Sequence, residues 1–219
     1  MPGRAPIRTS LRTTAPAALA LLTAGLLTAC GTRAEPAPPA AAPARPSAAP
    51  RTAPAAAAPA GSLGGPGTAC ALPVSFALAA GWAPKAVEAP ENPEFAALTR
   101  QGPATVRCEV DAKPAGNIGY LRVWTAPKGP ARAALEGFVT AERGAKGAAY
   151  RDVRAGSLAA VEVTYTVRGE ALDEARPERA FAVGTPKGTV IVHLGGLDAE
   201  EHTAMLPAFE LARSTVEPL

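Results

Sequence analysis

The chain has 219 residues, with 22 Lys and Arg against 19 Asp and Glu, and 47 % of it is hydrophobic. The positive excess sits before residue 69: Arg4, Arg8 and Arg12 lie in the first 29 residues, and Arg33, Arg45 and Arg51 face Glu35 alone in the next stretch. From residue 69 onward the balance is 16 basic to 18 acidic residues, which removes the charge argument for nucleic-acid binding.

The three N-terminal arginines precede an apolar run over about residues 15–27, in the order of a secretory signal. The run is shorter than the roughly 20 residues of a membrane span. Leu27-Thr28-Ala29-Cys30 then resembles the lipobox of bacterial lipoproteins. The resemblance implies diacylglycerol transfer to the Cys30 sulfur and cleavage before Cys30, so that residues 1–29 are a signal peptide. The lipid would then hold the protein at the outer face of the cytoplasmic membrane, in the cell envelope. An ordinary cleaved signal with an incidental cysteine, or an uncleaved anchor, stands as the alternative.

Residues 30–68 read as a disordered linker. Ala and Pro supply 22 of the 30 residues from 31 to 60, and a Gly-rich stretch follows. Such a segment has little to bury against its ordering entropy, and its prolines favour extended polyproline II. The expectation is a tether.

Residues 69–219 are long enough for one domain with its own core. The pair Cys70 and Cys108 reads as a disulfide outside the cytoplasm. Closing 38 residues is worth about 4 kcal/mol in the loop-entropy picture. Metal binding is the alternative, but the pair with His193 and His202 has no spacing of a structural zinc site, so no metal is expected.

Val74-Ser75-Phe76-Ala77-Leu78 alternates before Gly81 turns the chain, and Trp82 suits a core or edge anchor. Residues 105–110 alternate with Val106, Cys108 and Val110 on one face. Residues 119–125 set Leu121 and Val123 against Tyr120, Arg122 and Trp124. Pro130 suits a first helical turn, and Ala131, Leu135, Phe138, Val139 and Glu142 keep helical spacing up to Gly144. Strands are expected over 150–154, 160–168, 179–184 and 189–194, and their short connections favour antiparallel pairing. A last helix starts at Asp198, with Glu201 placed to complete a capping box. Pro207 should kink it or split it in two.

The opening Val74-Ser75-Phe76-Ala77-Leu78-Ala79-Ala80-Gly81-Trp82 resembles that of the Mog1/PsbP-like lipoproteins, including the LpqN group. Val190-Ile191-Val192-His193-Leu194, Gly195-Gly196 and the Asp198 helix resemble their close. The resemblance implies an α+β fold: an antiparallel sheet of six to seven strands sandwiched by helices. It also implies a small binding or assembly factor with no shared catalytic residue set, in some members tied to envelope lipid handling.

Catalytic patterns are scarce. No Gly-x-Ser-x-Gly elbow occurs, and His193 and His202 are the two imidazoles, read as structural or surface residues. Gly195-Gly196 before a helix looks like a phosphate loop, but Asp198, Glu200 and Glu201 would repel an anion there, and no cofactor is expected. If both helices cover one sheet face, the other collects Arg107, Glu109, Arg122, Trp124, Glu162, Thr164, Thr166 and Arg168. Arg107, Arg122, Trp124 and Arg168 would then form a ligand face, unless that face is simply solvated. The reading is a lipid-anchored, non-enzymatic binding protein that engages an envelope protein or an amphiphile. An envelope hydrolase is the alternative.

Overall fold

The computed structural model describes residues 55–168 and 174–219. The signal segment, the lipobox at 27–30 with Cys30, and the linker up to residue 54 lie outside the described residues. In chain order the strands begin with β1 (Pro59–Leu63), β2 (Val74–Ala79), β3 (Ala83–Ala86), β4 (Arg100–Gln101), β5 (Ala104–Asp111) and β6 (Tyr120–Ala126). Helix α1 (Ala131–Thr140) leads into β7 (Ala145–Ala155), β8 (Leu158–Arg168), β9 (Ala175–Thr185) and β10 (Gly188–Gly195). Helix α2 (Ala199–Ser214) and the short β11 (Glu217–Pro218) close the chain.

The main sheet runs β3-β5-β6-β10-β9-β8-β7, antiparallel throughout, and β4 adds a short pairing to β5. It is eight-stranded rather than six- or seven-stranded because the short β3 and β4, which no periodicity marks, join it while β2 leaves it. β2 stands outside it, in a second sheet between β1 and β11. The class is α+β.

Helices cover both faces of the main sheet. The alternation of β10 sorts Val190, Val192 and Leu194 into a core with Met205, Ala208, Phe209 and Ala212 of α2. Ile191 joins Leu135, Phe138 and Val139 of α1 on the opposite side. Edge-on aromatic pairs seal each layer, Phe181 with Phe209 at 5.4 Å and Trp124 with Phe138 at 5.2 Å.

Three expectations need correction. The linker ends before residue 68: β1 pairs with β2 through Ser62–Ala77 and Leu63–Phe76, and Leu63 is fully buried. Gly64, at φ +97°, passes so close to β2 that a Cβ would stand 1.8 Å from the Val74 carbonyl oxygen, a contact that demands glycine. One large apolar residue in an Ala/Gly/Pro stretch gives no readable period, so the pairing comes from β2 and not from β1's own pattern. Second, Val106 faces α1 while Cys108 and Val110 face α2, because a register shift at Arg107 inserts one extra residue in β5. Third, of the kink or split expected at Pro207 the split does not occur, and α2 is one helix from Ala199 to Ser214. Burial of its Met205, Ala208, Phe209 and Ala212 outweighs the backbone bond that proline cannot make.

Cys70 and Cys108 are joined by a disulfide across 38 residues, fastening the entry to β2 onto β5. Asp198 caps α2, its Oδ1 accepting from the Glu201 amide at 2.9 Å. Glu201 does not close a capping box on Asp198. Its carboxylate instead accepts from the backbone amides of Ile118, Gly119 and Leu197.

Candidate functional site: a polar pocket at the end of the sheet

On the α1 side the cross-strand register assembles polar residues where apolar ones would be expected. His193 of β10 lies opposite Arg122 of β6 and Ala180 of β9. Beside that row, Tyr120 pairs with Gly195, and Glu178 pairs with Tyr165. Helix α1 ends at Thr140, so Phe138 covers part of this patch, edge-on to the His193 ring at 5.4 Å. Beyond the helix a cavity of about 260 Å³ remains, with Arg122, Glu142, Arg176, Glu178 and His193 in its wall and Ile118 and Leu197 at its mouth.

A chain of hydrogen bonds orders the wall. Gln101 Nε2 and the Tyr165 hydroxyl both donate to Glu142 Oε2, at 3.0 and 2.8 Å. The single Tyr165 proton is thereby committed, so its oxygen accepts from His193 Nε2 at 3.1 Å, which places the imidazole proton on Nε2. Glu178 Oε2 lies 2.9 Å from the same nitrogen but off the line of its N–H. Glu178 Oε2 is therefore buried without a hydrogen-bond donor among the described residues, while Oε1 takes Arg176 Nε at 2.8 Å. An unsatisfied buried acceptor of this kind is costly unless a ligand or water meets it.

Burial alone would raise the Glu178 carboxyl, but the close approach of the His193 imidazole, and then the paired Arg176 guanidinium, hold it below the ordinary carboxylate range. Burial and the adjacent Glu142 charge push the Tyr165 phenol far upward, so it keeps its proton. Across the sheet end His202 of α2 is also buried, with Nδ1 unpartnered. Desolvation, with smaller contributions from Arg179 and His193, lowers its pKa against an opposing pull from Glu178.

Chemically the pocket offers carboxylate acceptors and guanidinium donors, and no serine hydroxyl or cysteine thiol lines it. Among the described residues no three His, Cys, Asp or Glu are grouped to hold a metal. The bare Gly195 forms part of the wall beside Glu178: a Cβ there would stand 3.0 Å from Glu178 Oε2.

Residues 38–216 match a family described as "Uncharacterised lipoprotein". The chain belongs to that lipoprotein family. No curated protein matches it. Among solved structures the lipoprotein is similar to the solution structure of cyanobacterial PsbP (CyanoP) from Synechocystis. That likeness has 15 % sequence identity, covers 73 % of this chain and 98 % of the other, and has a TM-score of 0.45.

The four residues expected to form a ligand face are separated in the lipoprotein. Trp124 is buried under α1 against Phe138, so it presents no surface. Arg107 is exposed at the β5 bulge, donating to Thr125 Oγ1 at 3.0 Å, and Arg168 is exposed at the end of β8. Arg122 alone reaches the pocket, paired with Glu109 at 2.7 Å and lying over the Tyr120 ring. Glu162, expected on the same polar face, is fully buried towards α2 among Arg151, Arg179 and Arg213. The expectation fails because it put both helices on one side of the sheet.

Sequence reasoning missed Glu142 and Glu178 and read His193 as structural. One signal was present: His193 follows Val190-Ile191-Val192 in a strand buried from Gly188 to Leu194, at a position facing the same way as Ile191.

Proposed function

We propose that this lipoprotein is anchored through lipid on Cys30 at the outer face of the cytoplasmic membrane. There it serves as a non-enzymatic binding protein whose end-of-sheet pocket engages an envelope component. The observation that carries this reading is Glu178 Oε2: a buried carboxylate oxygen without a donor, in the wall of an open cavity. Such an atom is preorganised to accept from a ligand. The Glu178–His193 contact also supports an envelope hydrolase as a second reading, yet no serine, threonine or cysteine lines the pocket for that imidazole to activate.

The test is capture from solubilised envelope by the full-length lipidated protein and by Gly195→Ala, whose methyl group would project beside Glu178 Oε2. A discrete component held by the wild type and lost by the folded variant is expected. Equal capture by both removes the pocket from the account. Turnover of ester, glycan or phosphoester substrates, lost in His193→Ala, would replace binding with catalysis.

A further inference from the structure

The geometry points to the pocket as a socket for a lysine side chain of a protein partner, an inference that rests on the pocket being the binding site. Its charges are unevenly matched. Arg122 is paired with Glu109, and Arg176 with Glu178. Glu142 receives only neutral donors, Tyr165 and Gln101, and both bind its Oε2. Among the described residues no cation lies within ion-pair distance of Glu142, and its Oε1 carries no hydrogen bond. The wall therefore holds one buried carboxylate oxygen in want of a donor, Glu178 Oε2, and a second carboxylate, Glu142, with no cation partner among the described residues. A primary ammonium is a compact charge with three N–H donors, and it matches a wall that offers a buried carboxylate oxygen and a carboxylate without a cation.

The mouth suits the stem of that side chain. Ile118 and Leu197 are 52 % and 51 % exposed, two of the five large apolar side chains left open among the described residues. They are held in place, since the Glu201 carboxylate binds the amides of both. Apolar side chains around a polar socket have the anatomy of a protein interface centre, and a lysine stem packs its methylenes on such a rim. A membrane headgroup is the weaker occupant: residues 69–219 carry 16 basic against 18 acidic residues and so offer no net attraction to an anionic bilayer.

The probe is the peptide acetyl-Gly-Leu-Lys-Leu-Gly-amide, titrated into ¹⁵N-labelled full-length protein in detergent micelles. Its Nε-acetyl-lysine and norleucine counterparts are the controls. The lysine peptide should shift the Gly195, Gly196 and Leu197 amides saturably, and both controls should bind at least ten-fold more weakly. Glu142→Gln should weaken the lysine peptide at least ten-fold, and Gly195→Ala should do the same while keeping the wild-type melting temperature. Equal binding of the acetylated peptide, or no shift with any peptide, overturns the inference. So does a shift produced by phosphatidylethanolamine nanodiscs and not by the peptide. Pocket-dependent envelope capture with no lysine-peptide binding would sink the lysine socket and leave the binding site standing. Loss of pocket dependence in that capture would remove both.

Discussion

Gly195 and Glu178 sit so closely side by side that a Cβ on the glycine would approach the carboxylate oxygen Oε2 to 3.0 Å. Gly195 does not adopt a positive φ, so alanine there meets no backbone strain and only a tight side-chain contact. Gly195→Ala should melt within a few degrees of wild type, because Glu178 can yield by a few tenths of an ångström. Binding at the pocket should nevertheless fall at least ten-fold. A large loss of melting temperature would show instead that the glycine is needed for packing.

The disulfide gives a stability expectation. Cys108→Ala releases a 38-residue loop, which is worth about 4 kcal/mol in the loop-entropy account. For a domain of this size that corresponds to a fall on the order of 10 °C in melting temperature. An unchanged melting curve under oxidising conditions would contradict the stapling role.

Glu162 sets a second. It is fully buried with Arg151, Arg179 and Arg213 around it, and Glu210 bridges Arg179 to Arg213. Glu162→Ala strips the carboxylate from three guanidinium groups and should cost roughly 3–5 kcal/mol. The midpoint of a urea titration reads this directly, and a shift equivalent to less than about 1 kcal/mol would mean the arginines are fully solvated.

His202 makes stability depend on pH. Its native pKa lies below the ordinary 6.5, with burial the largest cause. Just below pH 6.5 the unfolded chain binds a proton that the native state refuses, so stability falls as pH drops through that window. The depressed Glu178 acts lower down: its contribution is full above about 4.5 and is lost as pH falls through its native value. His202→Gln should therefore flatten the melting-temperature slope between pH 7 and 5 and leave the acid limb. An unaltered slope would assign the dependence to another group.

Much of the fold was legible because it is written in period. The alternation of Val161, Val163, Tyr165 and Val167 marks β8, and Asp198 marks the start of α2. What stayed hidden depends on partners. β1 is a strand because β2 offers it an edge, and the β5 bulge follows from pairing with β6 rather than from β5's own residues. The pocket was hidden for the same reason. Glu142, Tyr165, Glu178 and His193 are far apart in sequence and meet only through the register of β8, β9 and β10 and the end of α1. Trp124 looked like a ligand contact in a polar strand face, and only the placement of α1 shows it to be core.

The most direct test of the central claim is photo-cross-linking in intact cells from a benzophenone side chain at Leu197, on the pocket mouth, beside a control at the exposed Lys187. The account expects a discrete protein adduct from position 197 that disappears when Gly195→Ala is added, and no such adduct from position 187. Identical adducts from both positions, or a position-197 adduct that survives Gly195→Ala unchanged, would contradict it.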